Sequence, residues 1–376
     1  MKKNILIVFN YYYPGFKAGG PIRSIKNICD ALGNEFEFYI LTTDRDINET
    51  DAYPNIITNK WIRFDGYNIY YSKGGIFKLG LIYNEVRIIK PDILYLQSFF
   101  NPISWRTIFS SLNYKKKRII VAPRGEFNKG ALLLKKTKKK LFIILSKVFI
   151  KLFSIEFQAT TLKEKHQINN LFSNVKVWSA GNITDLPIKK LEINKAKENL
   201  SIIFVSRISR IKNIEFIIDI FTSHIFKNEV LIDIYGPIED KGYWNYCIKL
   251  SQNLPDNISF NYKGFINYYS LQEIYQSYDL FILPTHGENF GHAIYSALAN
   301  GLPVVISNNT PWQDLKEHNA GFVLDLDTKK FANVIEHFFS MSDKELINMK
   351  KDTLIYAQKY YDLSDSIKNT ENMFLG

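Results

Sequence analysis

Short apolar runs alternate with amphipathic segments along most of the chain. In the first half, the apolar runs predict strands, and the segments between them have helical periodicity. The predicted strands of this half are residues 4–9, 36–42, 68–72, 92–97, 118–122 and 154–159, and a further run at 175–179 precedes the domain boundary. The second half repeats the alternation, with strands predicted at residues 201–206, 230–235, 258–263, 280–283, 303–307 and 321–324. Such alternation favours an α/β fold, with parallel sheets covered by helices on both faces.

The length of the chain predicts two domains, because 376 residues exceed the size of one typical hydrophobic core. The first domain is predicted at residues 1–182 and the second at residues 201–355. Residues 183–200 separate the two sets of strands and are charged rather than strongly apolar. This composition is typical of an interdomain linker.

Residues 280–307 form the most regular unit of the second domain. The apolar run 280–283 predicts a buried strand, and a polar turn follows it. A helical pattern, with Phe290, Ile294, Ala297 and Leu298 on one face, then leads to a second strand at 303–307. The turn lies at the carboxyl end of a parallel strand, where such sheets bind ligands. Glu288 is therefore expected just before a helix N-terminus, where a carboxylate also serves as an ordinary helix cap.

The string Glu-Asn-Phe-Gly-His at 288–292, before a helix that ends Ala-Leu-Ala-Asn-Gly-Leu-Pro-Val-Val, resembles the donor-sugar loop of retaining glycosyltransferase family 4. This resemblance implies the GT-B fold, which has two facing Rossmann-like domains with parallel sheets. It also implies that Glu288 contacts the hydroxyls of the donor sugar. Relatives hold the donor ribose with a second Glu, and this chain has Ser296 there, whose hydroxyl can make one hydrogen bond.

Two bases, Arg207 and Lys212, follow the first strand of the second domain. Two bases on a loop are usually solvated, but their place and spacing are similar to those of the Arg and Lys that clamp the donor diphosphate in family 4. Fixed cations at that place stabilise the charge that grows on the leaving diphosphate as the glycosidic bond breaks. The resemblance thus implies catalytic roles for Arg207, Lys212 and Glu288.

Other donor contacts follow from the same resemblance. A glycine-rich loop ends at Gly19 and Gly20, and two later turns follow predicted strands at Gly236 and Gly264. Each of these is also compatible with a simple tight turn. The full set of implied donor-binding residues is Gly19, Gly20, Arg207, Lys212, Gly236, Gly264, Phe265, Glu288, Asn289, Phe290, Gly291 and Ser296.

The family's chemistry implies front-face transfer without a metal, a cofactor or a protein nucleophile. The triplet Asp325-Leu326-Asp327 lies away from the motifs, so no metal ligands are assigned. Arg124 and Glu126 either line the acceptor cleft or pair with each other. Gln97-Ser98-Phe99 stands where many relatives have a histidine near the reaction centre, so no histidine is assigned there. As in relatives, a helix within residues 356–376 is expected to cross back onto the first domain.

The net charge of +11 is concentrated in one stretch. Residues 113–151 contain 13 Lys and Arg and one acid, Glu126, and the remainder of the chain is nearly neutral. Within this stretch a lysine run leads into a mainly apolar segment, a pattern typical of surfaces that meet anionic lipid headgroups. A solvated helix face is an equal alternative, and nucleic acid is disfavoured because the flanking residues are aliphatic.

These features predict a nucleotide-sugar donor, a lipid-linked or saccharide acceptor, and contact between residues 115–151 and an anionic membrane surface. Two cysteines in separate predicted helices, Cys29 and Cys247, argue against a disulfide framework. No secretory signal or apolar run long enough to span a membrane is predicted. We therefore expect a cytoplasmic protein at the inner face of the cell membrane, with a UDP-sugar as donor and surface polysaccharide as product.

Two alternatives stay open at the level of the sequence. Ser296 and the absent histidine are compatible with a nucleotide-sugar binding subunit that has no activity of its own. A dinucleotide-dependent oxidoreductase is disfavoured because the glycine spacing from Gly15 to Gly20 does not match a dinucleotide fingerprint. Asp44, shortly after the second predicted strand, keeps that second alternative open.

Overall fold

The computed structural model describes residues 2–78, 80–128, 131–132, 136–184, 187–188, 191, 199–266, 268–363 and 365–376. The chain divides into two compact units, Met1–Ile183 with Ser364–Gly376, and Thr184–Leu363. Most of the predicted linker lies outside the described residues. The boundary predicted at residue 356 falls inside a helix of the second unit, Asp343–Leu363.

The N-terminal unit is built on an eight-stranded sheet. Its strands are β1 (Lys3–Val8), β2 (Phe36–Thr43), β3 (Trp61–Phe64), β4 (Tyr67–Ser72), β5 (Ile93–Gln97), β6 (Arg118–Ala122), β7 (Glu156–Ala159) and β8 (Val177–Ser179). Their spatial order is β3-β4-β2-β1-β5-β6-β7-β8, and all neighbours are parallel except β3 and β4. The predicted α/β class with parallel sheets is confirmed.

The helices of this unit connect successive strands, as parallel pairing requires. They are α1 (Gly20–Leu32), α2 (Leu81–Ile89), α3 (Pro102–Ser110), α4 (Lys136–Leu152) and α5 (Leu162–Leu171). The last helix of the chain, Ser366–Leu375, also belongs here, because the ring centroid of Phe374 lies 5.5 Å from that of Phe36 and 5.3 Å from that of Tyr95. Apolar side chains form a separate core on each face of the sheet.

The strand β3 is a feature that the hydrophobic pattern did not predict. It pairs antiparallel with β4, and Asp65 and Gly66 form the turn between them. Both turn residues have positive φ, 44° and 89°, as a two-residue hairpin turn of this kind requires. The sheet is therefore parallel except at one edge.

The C-terminal unit is built on a six-stranded parallel sheet. Its strands are β9 (Leu200–Val205), β10 (Val230–Tyr235), β11 (Ile258–Gly264), β12 (Leu280–Leu283), β13 (Val304–Ser307) and β14 (Gly321–Leu324). Their order is β11-β10-β9-β12-β13-β14. The chain thus moves outward from β9 to β11 and returns to the other side of β9 with β12, which makes the β9/β12 boundary a topological switch point.

Helices of varied length cover this second sheet. They are a 3₁₀ turn (Arg210–Lys212), α6 (Ile214–Ser223), α7 (Lys241–Ser251), α8 (Tyr268–Tyr275), α9 (His292–Ala299), α10 (Thr328–Ser340) and α11 (Asp343–Leu363). The central strands β12 and β13 are buried along their whole length, as strands with helices on both faces must be. No helix in the described part of the chain combines the length and apolarity that a membrane span requires.

Candidate functional site

The switch point of the second sheet places two loops side by side. Strands β9 and β12 are parallel neighbours, with Leu280 opposite Ile202 and Phe281 opposite Ile203. Their carboxyl ends therefore open at the same edge, and the loops 206–213 and 284–291 leave from that edge. Parallel sheets bind ligands in the crevice at such an edge. Three predicted catalytic residues lie on these two loops.

Hydrogen bonds fasten the two loops to each other. The hydroxyl of Thr285 and the backbone N–H of His286 donate to the Ile211 carbonyl over 2.9 and 2.8 Å. The side-chain amide of Asn213 donates to the Pro284 carbonyl over 3.0 Å. Each bond joins the turn after β9 to the loop after β12, so the relative positions of the two loops are fixed before any ligand arrives.

Lys212 and Glu288 form an ion pair across this junction, from Nζ to Oε1. The two side chains are only 9% and 15% exposed. The backbone N–H of Glu288 also donates to the Asn309 carbonyl over 3.0 Å, which orients the loop that carries the carboxylate. Two charges that are largely removed from water stabilise each other, and removal of either one leaves its partner uncompensated.

Arg207 has a different partner. Its guanidinium bonds the Glu239 carboxylate over 2.6 Å, and Glu239 comes from the loop after β10. Both side chains are nearly half exposed, so this ion pair is screened by water and contributes little to stability. The structure thus joins Lys212 directly to Glu288 and joins Arg207 to an acid that has no recognisable motif in the sequence.

The turns after β10 and β11 pack closely against the turn after β9. The backbone N–H of Gly236 donates to the Gly264 carbonyl over 2.9 Å. Gly236 has φ 139°, and a Cβ at this position would lie 1.8 Å from the Ser206 carbonyl oxygen. Only glycine fits there. Phe265, which follows Gly264, is 36% exposed at the same edge of the sheet.

The loop after β12 ends differently from the helix that was predicted. Helix α9 starts at His292, so Phe290 lies before the helix rather than on its face. Gly291 precedes the helix with φ 81°, a conformation that interrupts the helical pattern. Phe290 is nevertheless buried, and its carbonyl accepts a hydrogen bond from Trp312 Nε1 over 2.6 Å. Asn289 lies between Glu288 and this buried ring.

Ser296 lies on α9 and is buried at 3% exposure. Its Oγ has no hydrogen-bond partner within the described residues. The backbone carbonyl of Ser296, in contrast, accepts from the side-chain amide of Asn300 over 2.7 Å. A buried hydroxyl without a partner costs free energy. Ser296 Oγ therefore either destabilises the fold or is available to hydrogen-bond to another molecule.

The glycine-rich loop of the N-terminal unit is held by a carboxylate. Gly19 caps α1 with φ 67°, and Gly20 is the first residue of that helix. The backbone N–H groups of Phe16 and Lys17 donate to Asp46 Oδ2 over 2.7 and 2.9 Å. These two amides are therefore engaged within the protein, whereas a Cβ on Gly19 would meet no described atom within 4 Å.

Arg124 follows β6 in a left-handed conformation, φ 55°. Its guanidinium donates to Gln97 Oε1 over 3.0 Å, to the Tyr95 hydroxyl over 2.9 Å and to Asn182 Oδ1. All three acceptors are neutral, and no carboxylate forms an ion pair with Arg124 among the described residues. Neutral acceptors thus hold the guanidinium in one orientation, and no described residue supplies a counterion for its charge.

Glu126 is not the partner of Arg124. Its carboxylate accepts from Ser98 Oγ and from the backbone N–H groups of Phe99 and Phe100, at 2.5, 2.5 and 3.2 Å. Burial raises the pKa of Glu126 above its ordinary value, although these hydrogen bonds act in the opposite direction. The alternative in which Arg124 and Glu126 pair with each other is therefore wrong, and each is held separately.

The carboxylates of Asp325-Leu326-Asp327, and those of a second such triplet, Asp44-Arg45-Asp46, are engaged by other groups of the protein. Asp327 caps α10 by accepting from the N–H groups of residues 329 and 330, and Asp325 pairs with Lys330 over 2.5 Å. Asp44 accepts from the N–H groups of residues 74 and 75 over 3.0 and 2.8 Å. Asp46 holds the glycine-rich loop, as described above. Asp44 is thus already committed and is not presented to a nucleotide ribose.

Partners that sequence reasoning missed share one property. Glu239, Tyr95, Asn182 and Asn309 each contact a predicted residue, yet none was assigned a site role from the sequence. They arrive from distant points of the chain through the sheet topology. Gln97 also contacts a predicted residue, Arg124. It stands where many relatives have a histidine, and this position was the sign in the sequence.

Comparisons with known proteins agree with this architecture. Residues 187–358 match the model of the family described as Glycosyl transferases group 1. The chain is 22% identical over 308 residues to an uncharacterized 41.2 kDa protein in the cps region of Klebsiella pneumoniae, a match that covers 77% of this chain and 78% of that protein. It spans less than half the length of three other curated relatives that it matches.

Solved structures resemble the whole chain. Sucrose-phosphate synthase from Thermosynechococcus elongatus superposes with a TM-score of 0.73 at 12% identity, over 99% of this chain and 98% of that one. Anabaena Alr3699/HepE in complex with UDP and glucose superposes with a TM-score of 0.71 at 14% identity, over 99% of each chain. The protein therefore has the GT-B fold, as predicted. Its C-terminal unit carries the group 1 glycosyl transferase match, and the class supported by fold and match is a glycosyltransferase.

Proposed function

We propose that this protein is a retaining, metal-independent glycosyltransferase of family 4. It moves a hexose-type sugar from a nucleoside diphosphate sugar, with UDP as the favoured nucleotide, to a lipid-linked saccharide. The product belongs to a surface polysaccharide such as O-antigen, capsule or exopolysaccharide. Two similar proteins support this choice, namely the Klebsiella protein from a cps region and the Anabaena protein whose structure holds UDP and glucose.

The observation that carries the proposal is the ion pair between Lys212 and Glu288 at the switch point of the second sheet. A sugar diphosphate presents two chemically different ends, a dianion and a set of hydroxyls. A cation and a carboxylate held side by side match these two ends. Lys212 turns to the diphosphate and Glu288 accepts hydrogen bonds from the sugar hydroxyls. Arg207, half exposed and paired with Glu239, adds a second cation to the diphosphate.

The remaining donor contacts surround this pair. Backbone groups of Asn289, Phe290 and Gly291 orient the sugar, and Gly264 with Phe265 lies beside the nucleotide base. Gly236 permits close approach at the same edge. Ser296 contacts the ribose with its Oγ, which has no partner among the described residues.

Front-face transfer explains how the reaction proceeds without a protein nucleophile. The bond from the anomeric carbon to the diphosphate oxygen breaks, and the acceptor oxygen bonds to that carbon from the same side. The departing phosphate oxygen takes the proton of the acceptor hydroxyl. Lys212 and Arg207 stabilise the negative charge that develops on the diphosphate, which is the role that a metal plays in other transferases.

The proposed acceptor is anionic, because Arg124 carries a charge that has no counterion among the described residues. A lipid-linked saccharide contains phosphate groups that a preoriented guanidinium binds well. Glu126, held nearby in sequence, completes the acceptor side. The protein then works at the cytoplasmic face of the cell membrane, as a peripheral protein without a cofactor.

A screen of nucleoside diphosphates and their sugars by thermal shift tests the donor part, since a ligand that binds the folded state raises its melting temperature. Release of free sugar from the stabilising donor is then followed for the native chain and for Glu288→Gln. Glu336→Gln, which changes an exposed acid on α10, is the matched control. We expect activity in the native chain and the control and a strong loss in Glu288→Gln. Equal activity in all three contradicts the proposal.

A second candidate function is a nucleotide-sugar binding subunit without activity of its own. The observation that favours it is Ser296, whose buried hydroxyl has no partner within the described structure and stands where relatives carry a glutamate. The same experiment separates the two functions. Stabilisation by a donor without any release or transfer of sugar favours the binding subunit.

A further inference from the structure

Helix α4 is apolar on both its inner and its outer face. On the inner face, Phe142 and Phe149 place their ring centroids 5.5 and 6.3 Å from that of Trp105, on α3. Ile143 and Ile150 are buried on the same side of the helix. The inner face of α4 thus packs as the apolar face of an amphipathic helix does. This packing fixes which side chains lie on the outer face.

The outer face exposes a continuous aliphatic ridge. Its members are spaced three or four positions apart, except for one adjacent pair, so they follow one side of the helix. Each is between 54% and 68% exposed. The ridge consists of Leu141, Ile144, Leu145, Val148 and Leu152. A helix on the surface of a soluble protein normally presents charged residues to water on this side, so the ridge indicates a partner.

Lysines border the aliphatic ridge. Lys140, Lys147 and Lys151 are exposed and lie seven and four positions apart, which places them along one edge of it. Among the other bases of the stretch 113–151, Lys115, Lys116 and Lys138 are exposed as well, whereas two are engaged within the protein. Arg118 pairs with Glu156, and Lys117 donates to backbone carbonyls. The positive charge that a partner meets on α4 is therefore next to the apolar surface.

We propose that the aliphatic ridge of α4, together with Lys140, Lys147 and Lys151, is a docking surface for an anionic lipid bilayer. The aliphatic side chains enter the boundary between headgroups and acyl chains, and the lysines contact the anionic headgroups. The charge of the border selects this partner over a second copy of the chain. A symmetric dimer through the same face brings two sets of lysines together, and like charges repel.

Helix α4 also contacts the proposed acceptor side, through side chains outside the docking surface. The ring of Phe142 lies 5.7 Å from that of Phe100, and Lys139 Nζ lies 4.9 Å from the Phe100 ring centroid. The backbone N–H of Phe100 in turn donates to Glu126. The helix that meets the membrane therefore packs on the loop that holds Glu126. This inference rests on the proposed function in one respect: membrane docking serves the reaction only because the proposed acceptor is lipid-linked.

Flotation of the full chain with vesicles tests the surface without any sugar transfer. One vesicle type contains phosphatidylcholine and phosphatidylglycerol in equal parts, and the other contains phosphatidylcholine alone. We expect binding to the anionic vesicles and much weaker binding to the neutral ones. The variant Leu145→Gln/Val148→Gln should bind anionic vesicles at least about tenfold more weakly. The control Ile88→Gln, on an equally exposed isoleucine of α2, should bind like the native chain.

The lysines are tested separately. Each substitution among Lys140→Gln, Lys147→Gln and Lys151→Gln should weaken binding to anionic vesicles roughly fivefold. Circular dichroism shows whether a variant has unfolded. In that case, a fluorescent label on the ridge is used instead of the variant. A fluorophore sensitive to polarity on Leu145→Cys should shift to the blue with anionic vesicles, and the same label on Ile88→Cys should not. Cys29 and Cys247 are buried, so the introduced cysteine is the one that reacts.

Three results overturn the proposal. The native chain fails to bind anionic vesicles, or the ridge variant binds as well as the native chain, or sedimentation shows a dimer that the ridge variant abolishes. The third result assigns the ridge to a second copy of this chain. Because no result depends on donor turnover, a failure here is distinguishable from a failure of the proposed glycosyl transfer.

Discussion

Lys212 and Glu288 are separated by 76 positions in the sequence and form a largely buried ion pair at the carboxyl edge of the second sheet. Their loops are fastened by backbone and side-chain hydrogen bonds that do not involve either charge. The pair therefore holds the two groups that the proposed donor needs, a cation and a carboxylate, in contact with each other. When the proposed donor binds, this ion pair breaks. Lys212 then contacts the diphosphate, and Glu288 contacts the sugar hydroxyls.

A double-mutant cycle separates the structural role of this pair from its functional role. Lys212→Met leaves Glu288 buried without a counterion, and we expect a loss of about 3 kcal/mol in the free energy of unfolding. Glu288→Gln should cost a comparable amount. The double variant should be more stable than the sum of the two losses predicts, because no charge then remains buried alone. Calorimetric melting of all four chains measures this coupling.

Sugar transfer by the same four chains tests the functional role of the pair, and its expected outcome differs from that of the stability measurement. If the two residues hold the donor, the double variant regains stability but transfers no sugar. Additive losses of stability contradict the ion pair, and activity in the double variant contradicts the roles proposed for Lys212 and Glu288.

Gly236 should be the most sensitive glycine among the turns of the second sheet. An alanine there places its Cβ against the Ser206 carbonyl oxygen, and the backbone of this residue must shift. We expect Gly236→Ala to cost more than about 2 kcal/mol of stability. Gly264→Ala is the matched comparison, since it also has positive φ but no described atom within 4 Å of the added Cβ. It should cost only about 1–2 kcal/mol, and an equal effect on melting temperature at both positions contradicts the packing argument.

Arg118 should control how the stability of the N-terminal unit depends on pH. It bonds both carboxylate oxygens of Glu156 over 2.9 and 2.7 Å and also the carbonyls of Met373 and Phe374. Burial alone raises the pKa of Glu156, but the hydrogen bonds from Arg118 and Trp178 outweigh it and lower the pKa. In the native chain this carboxyl therefore stabilises the fold above its ordinary pKa and loses that effect as the pH falls through the lowered value.

Removal of the guanidinium should weaken this effect. In Arg118→Leu, the hydrogen bond from Trp178 and the charge of Lys176 are left to oppose burial, so the pKa of Glu156 should rise relative to that in the native chain. The stability that Glu156 contributes above its ordinary pKa should therefore decrease. The loss near neutral pH should be about 3 kcal/mol. Melting temperatures between about pH 4 and about pH 7 measure the effect. Lys176→Met removes an exposed amine 3.9 Å from the same carboxylate and should change little. Parallel pH profiles for the native chain and Arg118→Leu contradict the prediction.

Ser296→Ala tests the proposed ribose contact. Because Ser296 Oγ has no hydrogen-bond partner in the described structure, its removal should leave the melting temperature of the free protein unchanged or slightly higher. The Kd for a nucleoside diphosphate should rise roughly threefold to tenfold, the value of one hydrogen bond. Calorimetric titration measures this Kd. An unchanged Kd removes Ser296 from the donor site.

The fold was largely accessible from the sequence because its signals are local. Apolar runs of four to six residues between helical segments mark β12, β13 and the strands before them. The antiparallel strand β3 was missed, although Asp65-Gly66 is a strong hairpin signal, because alternation of strands with helices does not predict an antiparallel edge. Phe290 was placed on a helix because its apolar spacing continues that of Ile294, and periodicity does not reveal the positive φ of Gly291.

The candidate site was less accessible, because its contacts are long-range. Motif spacing singled out Lys212 and Glu288, and the order of the strands brings them together. No local pattern indicates that Arg207 pairs with Glu239, or that Arg124 is held by Tyr95 and Asn182. Those partners depend on which loops the topology places side by side. Burial likewise distinguishes the lysines that border the ridge of α4 from bases such as Arg118 that face inward.

The most direct test of the proposed donor site is calorimetric titration of the native chain and of Glu288→Gln with UDP and with the UDP-sugar that stabilises the native chain most. We predict that Glu288→Gln binds the UDP-sugar at least about tenfold more weakly, since hydrogen bonds to a charged group are lost. UDP binding should be unchanged or tighter, since Lys212 is released from its partner. Equal Kd values for the UDP-sugar in both chains, or no binding of any nucleotide to the native chain, contradict the proposed site.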